Sequence, residues 1–436
     1  MPEATGGARG AAARVTGDAA RVTGDAAADR VLDADVCVVG AGPGGLALTL
    51  MLLRSGMRVA LAEKSVRLRR EFHGEILQPG GQRILDELGV LAPARARGSR
   101  VLERFQVCER GRTLLDIDYR RLGGPYDHLL ALPQPHLLAE LLRACRALPG
   151  FTYLEGHRIV ALTQRRPGGG PYTGAVLRGP DGGRTAVRAR VVVGADGRFS
   201  RTRALAGIGA GRSESFAQDV VWCALDAPGR ATGAVRVHRA GGSAVLVHDA
   251  HGDRLRIGWT LPHGGWSEAV ARGIGAIREE LAAAVPHLAD LVRAQLSSLS
   301  RLSLLDVFAA HATHWTREGL ALIGDAAHTH GPIGAQGINL ALQDAAVLHP
   351  LLVRGLPLER YAAERAPVAQ RIHRMQVVQA RAVLGPAAGP VASYLRAGAA
   401  SLVTRTPIGA KLTRTIAQGP VPVPVRTDLF ATAALT

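Results

Sequence analysis

The stretch that most narrows the fold lies near the start. From Asp35 the chain reads DVCVVG, then AGPGGLALTLMLLRSG, then MRVALAEKS. The first segment, a short apolar run ending in glycine, predicts a buried strand. The second predicts a glycine turn running into a helix that stops at Ser55-Gly56. The third predicts another strand, so the three make one βαβ unit with parallel strands and a right-handed crossover. Gly40 permits the tight turn, Gly42 lets backbone approach a pyrophosphate, and Gly45, beside Gly44, lets helix and strand pack closely. A phosphate then meets the free N–H groups of the helix start. Glu63 ends the second strand, 18 residues beyond Gly45, where a carboxylate accepts hydrogen bonds from ribose hydroxyls. Gly40, Gly42, Gly44, Gly45, Glu63 and the adjoining Lys64 are therefore assigned to an adenine dinucleotide, with the acid favouring FAD or NAD over NADP.

Two later stretches carry the same kind of signal. In VVVGADGRFSRTR (191–203) an apolar strand runs into Gly194-Ala-Asp196-Gly197, with Ser200 and Arg203 behind it. An Asp-Gly pair alone is only a turn signal, but its place after a buried strand favours a site. In ALIGDAAHTHGPIGAQGINLALQDA (321–345) a buried strand ends at Gly324-Asp325 and a helix begins near Gly337. An aspartate there can accept hydrogen bonds from sugar-like hydroxyls. Pro332, Gly334 and Gly337 keep side chains away from a flat ligand, and the new helix start turns its partial positive charge toward it.

At 436 residues the chain holds two or three domains. Aromatics at 4% argue against a stacking platform for nucleic acid. The net charge of +17 comes from scattered Arg, with Lys only at 64 and 411 and no basic run of five, so no nucleic-acid partner is expected; a general attraction for anionic cofactors is. Cys37, Cys108, Cys145 and Cys223 are far apart with no CxxC, so neither a metal site nor a disulfide is expected and a cytoplasmic setting fits best. No 18-residue apolar run predicts a spanning helix, and the start lacks signal-peptide character. Residues 1–32, with RVTGDAA in tandem at 14–20 and 21–27, read as a disordered leader. Helices are expected over 75–95, 132–148 and 267–296, and from 337 to 384; alternating runs over 219–262 predict an antiparallel sheet. The stretch 380–412 reads as a cap over the cofactor domain or as a peripheral membrane contact.

The three glycine-and-aspartate stretches, in this order, resemble the class A flavoprotein monooxygenases of the p-hydroxybenzoate hydroxylase type over roughly 35–350. In addition, GEILQPGGQRILDELG (74–89) is similar to the corresponding segment of squalene epoxidases. The resemblance implies an α/β fold: a Rossmann-like FAD-binding domain with a parallel sheet, a mainly antiparallel substrate domain, and C-terminal helices. The expected division is 33–100, 132–215 and 318–350 for FAD, 101–131 and 216–317 for substrate, and 351–436 as the helical region. It further implies that Glu63 binds the adenosine ribose and that Gln134 lies near the flavin. Asp196, with Gly197 and Arg203, would hold the pyrophosphate region and also meet NAD(P)H. Gly324 and Asp325 would hold the ribityl chain, while Pro332, Gly334, Gly337, Ile338 and Asn339 would line the isoalloxazine. His73 stands in the cofactor segment where relatives usually carry Arg, and Ala335 where Gly is common.

The implied chemistry is reduction of FAD by NADH or NADPH, addition of O2 at flavin C4a, and transfer of one oxygen atom to an aromatic, polyketide or terpenoid small molecule. Hydroxylation is favoured over epoxidation by the same route. A reductase, a halogenase and a non-oxygenating sensor are rivals. No GxSxG elbow offers a nucleophile. His238, His248 and His311 are weak candidates for activating the substrate, and Trp222 and Trp259 for lining its pocket.

Overall fold

The computed structural model describes residues 28–66, 75–166, 169–213, 216, 218–240, 243–384 and 406–431. At its centre lies a six-stranded sheet in the order Thr316–Arg317, Leu320–Leu322, Val191–Gly194, Val36–Val39, Val59–Glu63, Phe151–Glu155. Five strands run parallel and only the Thr316–Arg317 edge is antiparallel. The runs VCVV and VALAE are buried at every position, as strands covered on both faces must be. The expected βαβ unit is there, with the Pro43–Arg54 helix between its strands.

Register decides where the turns meet. Gly194 pairs with Val39 on one side and Leu322 on the other. Three neighbouring strands therefore end level, and the turns starting at Gly40, Ala195 and Ile323 leave from one edge. Strand order also reverses direction there: the chain steps from Val36–Val39 to Val59–Glu63 on one side and returns to Val191–Gly194 on the other. Open α/β sheets form their ligand crevice at such a switch point.

A seven-stranded sheet stands apart, ordered Ser303–Leu305, Gln218–Asp226, Arg254–Pro262, Ser243–Ala250, Ala234–Ala240, Arg104–Glu109, Arg112–Asp118. It is antiparallel except where Ala234–Ala240 and Arg104–Glu109 run side by side in parallel. Residues directly opposite each other share a face. Val221, Val245 and Trp259 thus pack one face against the helices Trp266–Ala284 and Ala289–Gln295, while Trp222, His248 and Arg256 point the other way.

Some expectations change. Arg30–Asp33 is a strand, paired in parallel with Arg184–Arg188, so the expected leader's last residues belong to a sheet; residues 1–27 lie outside the described residues. The helix expected over 337–384 is two, Gly337–Arg354 and Glu359–Leu384, because Gly355 turns left-handed at φ 63° and Pro357 follows. The 267–296 segment breaks as well, with Gly273 at φ 82° and a second helix from Ala289. Two-residue Ile76–Leu77 was too short to show a period. Much of 380–412 lies outside the described residues; Pro407–Gln418 is a helix capped by the Thr406 side chain. Among the described residues no helix is long and apolar enough to cross a membrane.

Candidate active site

The first turn has no room for side chains. Gly40 holds φ +110°, and a Cβ there would lie 2.4 Å from the Ala195 carbonyl oxygen of the second turn. A Cβ on Gly45 would lie 2.0 Å from Gly40 O. Gly42 caps the following helix without a side-chain bond, which leaves the first N–H groups to a ligand. Glu63 is 3% exposed. Its Oε2 accepts from Ala41 N at 2.8 Å and its Oε1 from Ser65 N at 3.0 Å, so the acid also braces the turn. Lys64, by contrast, is exposed.

In the second turn Asp196 accepts from Ser200 Oγ, from Thr202 N at 2.9 Å and from Thr202 Oγ1 at 3.0 Å. Its carboxylate therefore organises the start of the Arg201–Leu205 helix, while Gly197 at φ +81° has open space around its Cα. Arg203 bridges two turns. Its Nη1 donates to Ala326 O at 2.8 Å and its Nη2 to Arg198 O at 3.2 Å, so the guanidinium ties the second turn to the third. Asp325, in the third turn, lies 3.9 Å from Arg198 Nε.

The loop from Pro332 to Asn339 is suspended by its carbonyls. Gly334 O accepts from Gln78 Nε2 at 2.8 Å and Gln336 Nε2 at 3.0 Å. Gln376 Nε2 donates to Gly331 O at 3.0 Å and Ile333 O at 2.6 Å. Asn339 Nδ2 donates to Ala335 O at 2.7 Å, and its Oδ1 accepts from Gln78 N at 3.2 Å. Gly334 sits at φ 75° and Ala335, a residue with a Cβ, at φ 50°. The helix starting at Gly337 has no side-chain cap. Gln134 is 5% exposed with no hydrogen-bond partner for its Oε1. Sequence reading missed Gln78, Gln336 and Gln376, although Gln78, inside ILQPGG, and Gln336, inside GPIGAQG, lay in stretches already singled out.

Asp344 was missed too, although an acid inside LALQDAAVL is a signal. Fully buried, its Oδ2 takes Gly324 N at 2.9 Å and His328 Nε2 at 2.6 Å, and its Oδ1 takes Arg365 Nε at 2.8 Å. Burial raises the carboxyl pKa, but His328 and Arg365 outweigh it and hold the group well below the ordinary carboxylate range.

The substrate-side candidates separate onto two faces. Trp222 packs with Phe216, Val220, Leu305 and Ile333, facing the suspended loop. His248 meets Trp222 edge-on at 6.3 Å, and Arg256 on the same face pairs with Glu75. Trp259, expected in the pocket, instead packs into the core under the Trp266–Ala284 helix. His238 shares that far face, 5.0 Å from His287, and burial pushes its pKa down to about 4. His311 reaches the loop region through His330, at 5.5 Å. His73 lies outside the described residues.

A family model for FAD binding domains matches residues 33–376. The chain belongs to that family. It is 52% identical over 404 residues to a 6-methylpretetramide 4-monooxygenase of Streptomyces rimosus, covering 91% of this chain and 95% of the relative. A protoasukamycin 4-monooxygenase of Streptomyces nodosus subsp. asukaensis is 29% identical, covering 79% and 87%. Among solved structures, a probable FAD-dependent monooxygenase from Pseudomonas aeruginosa superimposes with a TM-score of 0.71 at 26% identity, covering 84% of this chain and 100% of that one. The anhydrotetracycline hydroxylase of Streptomyces rimosus shares the fold, with a TM-score of 0.69 at 23% identity, covering 89% and 77%. The enzyme is thus an FAD-dependent monooxygenase of class A with a p-hydroxybenzoate hydroxylase-like fold. Its residues fit the cofactor: an uncapped helix start beside a glycine turn, a second uncapped helix start at Gly337, and the unpartnered Gln134 oxygen between them in sequence.

Proposed function

We propose that this enzyme hydroxylates a ring of an aromatic polyketide, using NADH or NADPH and O2. The observation that carries the substrate class is the 52% identity, nearly end to end, to a 6-methylpretetramide 4-monooxygenase. An apolar wall of Phe216, Trp222 and Ile333 beside the suspended loop suits a flat, ring-bearing substrate.

Bound FAD supplies the redox and oxygen-activating chemistry, and the protein supplies position, electrostatics and dryness. In this reading Glu63 accepts from the ribose hydroxyls, and the Pro43–Arg54 helix start meets the pyrophosphate. Gly324 and Asp325 hold the ribityl chain. Pro332 to Asn339 lie along the ring edge, where the helix start at Gly337 favours developing negative charge by about 0.3–2 kcal/mol. Three glutamine side chains fix that loop, so the ring and the substrate keep one distance. Asp196 and Arg203 contribute by shaping the second turn. The domain division follows the same reading, with the six-stranded sheet holding FAD and the seven-stranded sheet roofing the substrate. Four free cysteines support a reducing, cytoplasmic compartment.

The test uses purified yellow protein, NADH or NADPH, 18O2 and 6-methylpretetramide beside simple phenols and terpenoids. Incorporation of one labelled oxygen into the polyketide supports the reading; turnover of the terpenoid panel alone overturns the substrate class.

A further inference from the structure

His311, His330 and His373 come from a strand, the third turn and the Glu359–Leu384 helix, far apart in sequence. Each offers one imidazole nitrogen, and those nitrogens lie within 4.8 Å of one another. We infer that these three histidines bind one divalent transition-metal ion, with Zn2+ as the reference ion and a fourth coordination position left open.

Geometry is the first support. With Zn–N bonds of about 2.0–2.1 Å, a tetrahedral ion places imidazole centroids about 5.2 Å apart. The observed centroid separations are 5.5 Å for His311–His330, 5.4 Å for His311–His373 and 6.3 Å for His330–His373. The widest gap, His330–His373, involves the helix-borne His373, whose side chain would move toward the other two on binding.

The hydrogen-bond chain behind His330 is the second. His328 Nε2 lies 2.6 Å from the Asp344 carboxylate, and His328 Nδ1 lies 3.0 Å from His330 Nε2. In neutral His328 a proton on Nε2, facing Asp344, makes Nδ1 the acceptor; His330 Nε2 then donates and His330 Nδ1 carries the lone pair. That nitrogen has no partner in a residue only 7% exposed. His311 Nε2 is buried without a partner as well. A carboxylate orienting a ligating histidine through its second nitrogen is the usual outer shell of a metal site; here one further histidine extends it.

The ligand chemistry agrees. Three imidazoles, joined by no carboxylate among the described residues, select Zn2+, Co2+, Ni2+ or Cu2+ over Mg2+ or Ca2+. His311 also lines a cavity of about 290 Å3, with Trp315, Ala366 and Gln370 among its walls.

Untagged, FAD-containing full-length protein is stripped with chelator, then titrated with Zn2+ by calorimetry and with Co2+ by visible spectroscopy beyond the flavin bands. The expected result is one ion per chain, four-coordinate Co2+ bands, and a higher Tm with Zn2+ bound. His311→Ala and His373→Ala should each weaken binding by more than the about 10–100-fold that loss of an outer-shell partner costs. His314→Ala, at the nearby surface, should bind as before. An unchanged flavin spectrum verifies folding of each variant, and His373→Gln replaces His373→Ala if the latter does not fold. No binding, or binding unaltered by both cluster substitutions, overturns the assignment.

Discussion

Ala335 is held at φ 50° in a loop where the carbonyls of Gly331, Ile333, Gly334 and Ala335 are tied by glutamine or asparagine amides. A side chain in the left-handed region costs about 1–2 kcal/mol relative to its ordinary conformation, and glycine escapes most of that. Ala335→Gly should therefore raise unfolding stability by about 0.5–1 kcal/mol in denaturant titrations. Glu63 braces the glycine turn with charge-assisted bonds. Glu63→Ala should weaken FAD binding by about 1.5–3 kcal/mol, read as flavin release by fluorescence; unaltered retention would remove Glu63 from the site. The turn positions of the glycines, Glu63 and Asp325 were legible because strand–turn–helix patterns fix them locally. Gln376 was not, since its partners Gly331 and Ile333 lie more than forty positions away and no local pattern connects them. The Arg203 contact to Ala326 O was hidden for the same reason, since that partner comes from the third turn, 123 positions away.

The element that joins site and scaffold is the Gly337–Arg354 helix. Its N-terminus faces the loop, while Asp344 on its buried side fastens Gly324, His328 and Arg365. Asp344→Asn leaves Arg365 buried without its counter-charge and should cost about 3–5 kcal/mol, seen as a lowered denaturation midpoint together with loss of bound flavin. The existence of this helix was readable from its apolar run; its end was set by one glycine and one proline, a signal present at 355–357 but weaker than the helical period around it. In the seven-stranded sheet, alternation showed strands but not which Trp faces the Pro332–Asn339 loop. Trp222 pairs with Gly258, so Trp259 sits opposite Val221 on the reverse face. One position of register moves a side chain to the other side of a sheet, and register follows from tertiary pairing rather than composition.

At the scale of the molecule, acid sensitivity is built into histidines that fold neutral. Burial lowers the pKa of both His238 and His349 from 6.5 to about 4. Between these values the unfolded chain binds more protons than the folded one, so stability falls as pH drops. Tm should be level above pH 6.5 and decline steadily from pH 6.5 to about 4, and a flat profile would show that neither histidine titrates abnormally. Most of the overall architecture was foreseeable, because a buried parallel sheet writes continuous apolar runs and its turns write glycine and aspartate. What could not be foreseen is convergence: the level ending of three strands at Val39, Gly194 and Leu322, and the gathering of His311, His330 and His373 from distant segments.

The level ending of those three strands is the central structural observation, and the proposed function rests on one FAD reaching all three turns with the substrate in front of it. The most direct measurement is anaerobic reduction followed by a single oxygen pulse with 6-methylpretetramide bound, scored by product mass. Yellow protein that bleaches with NADH or NADPH and returns a polyketide heavier by one oxygen atom is the expected result. Protein that binds FAD and consumes O2 yet leaves the polyketide unchanged, across pH and with either nicotinamide, would contradict it.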